Sequence, residues 1–497
     1  MNQLYKKKLK QSDLYKHGHF SFVVSLLLAT ILLVNSYQFT TQTWQLSLFL
    51  IAVAYLFVTI FQLVLNLRTR RDILKYGNIQ RKTRLLTAFQ LGSLLVGNVF
   101  TATYAFRALQ DDGEIEYTFA YYMFLADFLI IAVTSFNLFK PYVTNYFIPV
   151  VFSLAVLLLL DVIVLIWLAR SKSVSRKSTR LVRLLPYLFM VTSLTGNVFR
   201  FILGYSLLLK QGKRDPANSE RWQLFWIKLT KRFTAMIGLL FVIFTFSLSI
   251  TSFTTFVTRF AVANDYTVLL TEPSLVYPFG TDNFGRDVFS RIVFGARISL
   301  IIGMLTTLIP MIIGGFLGAI SGFFHRSLDQ AIMRVLDVLY AIPGILLAIA
   351  IIAAFGSSTL NLIIALSVGS IPMYARTMRA NILMIAHLDF IEAARALGES
   401  EWKILFKHAI PNGFAPMIVR ATLTIGTAVI ATSSLSFLGL GVEPHVPEWG
   451  NVLRIGSQYL ETEPYLAIFP GLAIILLVLS FNFLGDGLRD ALDPKIN

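Results

Sequence analysis

The chain has 497 residues, 56% hydrophobic and 14% charged, and a formal net charge of +16 from 43 basic and 27 acidic residues. Soluble domains carry roughly a quarter charged residues, so a mean hydropathy of +0.69 excludes a soluble globule and reads as a polytopic all-α membrane protein. The basic residues sit in short loops between apolar runs, which speaks for membrane orientation and against nucleic acid. Without cysteine there are no disulfides or thiolate ligands, and His17 and His19 form an isolated pair without zinc spacing, so no metal site is expected.

The N-terminus carries Lys6, Lys7, Lys8 and Lys10 ahead of an apolar run from Phe20 to Val34. Asn35-Ser36-Tyr37-Gln38 offers no small-x-small cleavage site, so the run is a retained first span and not a removed signal. A crossing needs about 20 mostly apolar residues. Candidate spans are 20–36, 46–66, 85–106, 118–139, 147–168, 185–209, 236–252, 297–322, 336–356, 359–380, 417–439 and 464–485, about 12 transmembrane helices.

The first six runs contain a duplication. Ser93-Leu94-Leu95-Val96-Gly97-Asn98-Val99-Phe100 is echoed by Ser193-Leu194-Thr195-Gly196-Asn197-Val198-Phe199, and Arg84-Leu85-Leu86 aligns with Arg183-Leu184-Leu185. Residues 20–110 and 119–209 read as two three-span repeats, and an odd number of spans per copy implies inverted topology. Lys and Arg place the N-terminus, the loop of Arg68 to Arg84 and residues 210–234 in the cytoplasm, with the acidic loop of Asp111, Asp112, Glu114 and Glu116 outside. One loop disagrees: residues 170–183 carry Arg170, Lys172, Arg176, Lys177, Arg180 and Arg183, yet the span count puts them outside. Either that rule loses here or one run between 118 and 209 does not cross; the inverted repeat favours the full count.

Residues 210–234 read as a polar linker followed either by an amphipathic helix with Trp222, Phe225, Trp226 and Leu229 on one face or by the frayed start of the next span. Gly314, Gly315, Gly318 and Gly322 suit close helix packing. Asp127, Asp161, Arg200 and Arg420 lie within apolar runs, where charge is costly unless paired. Asp161 with Arg200 is the expected pair, either fixing the packing or serving an ion path.

Two polar stretches carry local chemistry. In Gly280-Thr281-Asp282-Asn283-Phe284-Gly285-Arg286-Asp287, Thr281 or Asp282 can cap a helix, Gly285 can bend the chain, and Arg286 can pair with Asp282 or Asp287. Between two apolar runs, Glu392-Ala393-Ala394 is followed by Gly398 and Pro411. Two short helices hinged at a glycine would form a compact knob, with Pro411 stopping the second. No Gly-x-x-x-x-Gly-Lys-Ser/Thr motif occurs, so the chain has no phosphate loop of its own.

Glu392 to Pro411 resembles the EAA coupling loop of ABC importer permeases. With Phe279 to Arg291, Ser436 to Val442, and Phe481 to Pro494, it is similar to the second permease subunit of bacterial dipeptide/oligopeptide/nickel importers, over about residues 222–497. The resemblance implies a type I importer permease fold in residues 235–497, preceded by an extra membrane block, 1–209, and a linker, 210–234. It implies no enzymatic activity in this chain, with ATP and Mg on two partner ATPases. The ATPases would grip Glu392, Ala393, Ala394, Gly398 and Pro411. A homologous second permease would complete the pathway, and an extracytoplasmic peptide-binding protein would deliver di- or oligopeptides near Gly280, Thr281, Asp282, Gly285, Arg286 and Asp287. The setting implied is the bacterial cytoplasmic membrane, multi-pass, with both termini cytoplasmic. A nickel permease of the same family and an ion-coupled secondary transporter are the alternatives. The extra six-span block departs from the usual pattern, and its task is not implied by the resemblance.

Overall fold

The computed structural model describes residues 9, 12–38, 43–109, 115–170, 180–211, 216–443 and 445–493. The N-terminal lysines, Asp111, Asp112 and Glu114, and Lys172, Arg176 and Lys177 lie outside them. By packing, the chain forms two compact units: Met1–Ile115 with Lys231–Phe233, and Glu116–Thr230 with Thr234–Asn497. That boundary falls inside the stretch grouped by sequence as 1–209, and joins the second repeat to residues 234–497.

The first unit contains the long helices α1 (Asp13–Asn35) and α2 (Leu46–Tyr76), joined through the two-residue strands β1 (Tyr37–Gln38) and β2 (Thr43–Trp44), which pair antiparallel. The apolar run 85–106 is not a third long helix. It divides into α3 (Arg81–Ala88), a 3₁₀ stretch Phe89–Val96, a turn at Gly97 with φ 75°, and α4 (Val99–Leu109). The two halves fold back on each other: Thr101 Oγ1 donates to Ser93 Oγ at 2.8 Å across the turn. Along α2, Thr83 donates to Asp72 at 2.6 Å and Gln90 to Gln62 at 3.2 Å, while Thr69 bonds Tyr104 at 2.9 Å on the return. The turn thus comes level with Tyr55, about 14 Å of helix short of the start of α2 at Leu46.

The second unit repeats this plan. After α5 (Ile115–Ser135) and α6 (Phe147–Arg170), the run 185–209 divides into α7 (Arg180–Thr192), a 3₁₀ turn Ser193–Thr195, Gly196 at φ 92°, and α8 (Val198–Gln211). A Cβ on Gly204 of α8 would lie 2.7 Å from the Pro186 carbonyl oxygen and 3.3 Å from Phe189 Cβ of α7, so the two helices touch side by side. The turn reaches only half-way along α5, where Asn197 donates to the Met123 carbonyl at 2.9 Å and to Asp127 at 2.7 Å. At the base of the hairpin, Ser206 and Lys210 bond the buried Glu116 at 2.8 and 2.7 Å. Glu116 opens α5 and Lys210 closes α8, so both ends of the hairpin lie at one end of α5.

These hairpins correct the twelve-span expectation. Among the described residues, eight helices are long and apolar enough to cross, or nine if the bent pair α13 (Arg326–Tyr340) and α14 (Gly344–Phe355) is one broken span. Each copy of the duplication has two long helices and one half-depth hairpin, so the premise of an inverted repeat, three crossings per copy, is absent. The residues flanking the basic loop 170–183, at the ends of α6 and α7, then share a face with Glu116 and Lys210. The physical cause is local: a left-handed glycine reverses the chain where hydropathy reads an unbroken run.

The expected pair Asp161–Arg200 is present and enlarged. Arg200 is fully buried and bonds both Asp161, at 2.8 Å, and Asp127. The amphipathic helix α9 (Pro216–Lys231) turns Trp226 onto Phe119, ring centroids 4.9 Å apart, and Trp222 onto Tyr205, at 4.8 Å. The remaining helices are α10 (Phe233–Thr255), α11 (Thr258–Val262), α12 (Val288–Phe323), α15 (Thr359–Ile385), those of the 389–413 segment, and a final group of three. α15 is a continuous helix through Pro372, but is not apolar enough to count among the eight.

Because the chain has no cysteine, single thiols report sidedness directly. Asn145→Cys and Asn264→Cys, both at exposed positions, should react with an impermeant maleimide from one face of sealed vesicles. Arg183→Cys and Glu220→Cys should react from the other. Labelling of Asn145 and Asn264 from opposite faces would restore twelve crossings.

Candidate functional site

The 389–413 segment forms a knob. Helix α16 (Asp389–Ala396) ends at Gly398, whose φ of 79° lies in the left-handed region. Gly398 N–H donates to the Arg395 carbonyl and Glu399 N–H to the Ala394 carbonyl, closing the helix end. No atom would contact a Cβ at Gly398, so glycine is required there by backbone conformation and not by space. Ile391, Ala394, Ile404, Leu405 and Ala409 are buried with Phe323, Tyr374, Met378 and Met417, which seats the knob on the membrane helices.

Beyond the hinge, α17 (Glu401–Ile404), a π-turn Leu405–Ala409 and α18 (Ile410–Gly413) run on as one helical path. Pro411 therefore does not stop the helix, contrary to expectation. The π-turn frees backbone carbonyls ahead of the proline, and Asn412 Nδ2 donates to the His408 carbonyl at 2.7 Å. The end comes at Gly413, before α19 (Ala415–Phe437).

Of the predicted coupling residues, Glu392 and Ala393 face outward, while Ala394 faces the core. The outer surface carries apolar residues that sequence reasoning passed over: Leu397 is 85% exposed, with Trp402 and Phe406 half exposed nearby. Around them, Arg395 pairs with Glu401 at 2.8 Å, and Glu399 bonds Lys403 at 2.8 Å and His408 at 3.0 Å. The Lys403 bond holds the Glu399 carboxyl below its ordinary value. The knob thus presents exposed apolar residues ringed by ion pairs, the kind of surface that marks contact sites.

The second predicted cluster, 280–287, is a rigid turn. Asp282 accepts from the backbone N–H groups of Phe284 and Arg286, at 2.9 and 3.0 Å, and from Arg286 Nε at 2.8 Å. Thr281 Oγ1 accepts from Thr271 N–H at 2.8 Å. Gly280 and Gly285 both have φ of 73°, and a Cβ on Gly285 would strike the Asp265 carbonyl. The helix cap is Asp287, not Thr281 or Asp282: its carboxylate accepts from Ser290 N–H at 3.0 Å and starts α12.

The partner of Asp287 was not foreseen. Lys140, from the loop between α5 and α6, places Nζ 2.8 Å from Asp287 Oδ2 and 4.4 Å from the centre of the Tyr277 ring. Lys140 is 7% exposed. Burial lowers its ammonium below the ordinary lysine value, with Asp287 pulling the other way. Asn137 and Thr144 flank it by donating to the carbonyls of Thr255 and Thr254 at the end of α10. A lone lysine in a short loop gives no sequence signal of this kind.

Residues 311–497, which include the whole knob, match the family model of the binding-protein-dependent transport system inner membrane component. The chain is 43% identical over 285 residues to the glutathione transport system permease protein GsiD of Pectobacterium atrosepticum, covering 57% of this chain and 94% of that one. It is 46% identical over 277 residues to GsiD of Escherichia coli, covering 55% of this chain and 91% of the relative. This chain belongs to that permease family. A chain of the MetNI methionine ABC transporter overlaps 41% of it at 22% identity and a TM-score of 0.35, too loose to carry a structural argument. Membership sets aside the ion-coupled carrier. Nearly the full length of the GsiD relatives is matched by little more than half of this permease, so their length leaves no room for a counterpart of the whole extra block.

Breaking a buried ion pair leaves a charge without compensation, at a cost of about 3–5 kcal/mol. Lys140→Met should therefore lower the thermal midpoint of the purified permease, while Lys140→Arg keeps most of it. An unchanged midpoint in Lys140→Met would show that the pair contributes nothing.

Proposed function

We propose that this chain is one permease subunit of an ATP-driven importer for short peptides of the glutathione kind. A homologous permease completes the pathway, two separate cytoplasmic ATPases drive it, and an extracytoplasmic binding protein delivers the cargo. ATP and Mg belong to the ATPases. The observation that carries the reading is the knob, set on a left-handed glycine within the segment matched to the family. It couples a mobile partner to the helices through Ile391, Ile404 and Leu405, which pack on Phe323, Tyr374 and Met378. The peptide class is supported by the name of the GsiD relatives. A small cleft lined by Thr306, Ser370, Thr424 and Thr427 among the permease helices offers hydroxyls suited to a polar cargo. Nickel is the weaker cargo, since those relatives are named for glutathione.

In this reading the bent pair and α15 also cross, so the knob, the basic flank of Lys228, Lys231 and Arg232, and both termini are cytoplasmic, and the 280–287 turn faces the binding protein. The chain sits in the bacterial cytoplasmic membrane.

Gly398→Val forces a β-branched residue into the left-handed region, a strain of about 1–2 kcal/mol, and Leu397→Asp puts a charge on the apolar crown. Each should reduce peptide uptake and co-purification of the ATPases by roughly tenfold, as expected when one central docking contact is lost, at normal membrane abundance. Normal uptake in both, and in Glu392→Lys, would remove the docking role.

A further inference from the structure

Helix α20 (Trp449–Ser457) and the loops beside it border an open cleft of about 620 Å³ at the end of the permease that carries the 280–287 turn. That volume is in the range of small-ligand sites. Arg286, Arg454, Asn283, His445 and Gln458 face it alongside Phe284 and Ile455, and among the described residues no acidic side chain does. Clefts lined by one sign of charge attract ligands of the other.

One guanidinium is buried and held in advance, and the other, Arg454, lies exposed at the edge of the cleft. Arg286 is 5% exposed; its Nε is taken by Asp282 at 2.8 Å, its plane lies 4.5 Å from the Phe284 ring centre, and its Nη2 has no partner. Arg454 lies across Gly439, whose φ is 81°; a Cβ there would stand 2.6 Å from Arg454 Nη1. The glycine in the Ser436 to Val442 signature thus makes room for the Arg454 head group. A buried, charged donor without an acceptor is an exception in folded proteins and calls for one, and a guanidinium fork matches a carboxylate.

We propose that this cleft binds a free carboxylate of the peptide being imported, on the side where cargo arrives. This rests on the short-peptide reading above. Phe284 and Ile455 supply the apolar wall for the adjoining side chain, and Gln458 and His445 supply further polar contacts.

The test uses the assembled importer, without binding protein, titrated with alanyl-alanine and with its C-terminal amide. The acid should bind at least roughly tenfold tighter, the size of one charge-assisted hydrogen bond. Arg454→Gln should abolish that preference while leaving amide binding unchanged, and Arg454→Lys should keep part of it. Equal binding of acid and amide, or an undiminished preference in Arg454→Gln, overturns the proposal. If Arg454→Gln leaves peptide binding intact but weakens capture of the empty binding protein, the carboxylate comes from that protein, and the proposal also falls. ATP-driven uptake by the wild-type importer separates the two readings. Failure to import any short peptide defeats the substrate class, whereas import with no acid–amide difference in binding defeats the cleft alone.

Discussion

A guanidinium buried among helices must be paired, and Arg200 meets that constraint by joining three segments. It sits just past the turn of the α7–α8 hairpin, fully buried, and bonds Asp127 on α5 and Asp161 on α6. Those bonds exist only if the hairpin turns back at half the depth of α5. A chain that crossed fully could not also bring Lys210 to Glu116, 2.7 Å away. Breaking a buried pair of this kind is costly, about 3–5 kcal/mol, so the charge network and the folded-back path specify each other.

The consequence reaches the permease. With the hairpin folded back, the loop between α5 and α6 comes to the same end as the 280–287 turn, and Lys140 reaches Asp287. That carboxylate also caps α12, the longest helix of the permease. A contact supplied by the extra block therefore bears on the start of a helix whose other end, at Phe323, packs against the 389–413 knob. The second repeat is built into the permease unit as a brace of its loop end. Its connection runs through backbone carbonyls of Thr254 and Thr255 as well as through charge, which makes it a fixed part of the fold and not a tethered neighbour.

Much of this was legible in the residues, for reasons that differ by element. Gly398 was readable as a bend because few residues other than glycine occupy that conformation without strain, and Asp161 with Arg200 because opposite charges in apolar runs must meet. Pro411 misled: a proline normally ends a helix, but a π-turn before it and the Asn412 amide on the His408 carbonyl let the path continue. Asp287 took the cap expected of Thr281 or Asp282 because Asp282 is spent on its own turn and on Arg286. The hairpins were hidden because hydropathy measures transfer into lipid and is blind to direction. Two signals were nevertheless present: the basic loop 170–183 on the wrong side of a full count, and a glycine at the same place in each copy. Lys140 had no signal at all, since its partner lies 147 positions away.

The claim on which the rest depends is that residues 180–211 enter and leave at one face. Glu116→Cys with Ser206→Cys in the cysteine-free chain tests it directly, because the native side chains are 2.8 Å apart. A protease site placed between residues 171 and 179 would separate the two cysteines, and a short disulfide-containing bis-maleimide applied before cleavage reports their proximity. The folded-back path predicts fragments that stay joined until reduced. A full crossing would hold the two cysteines about 30 Å apart, and fragments that separate without reductant, from a protein that inserts normally, would contradict the account.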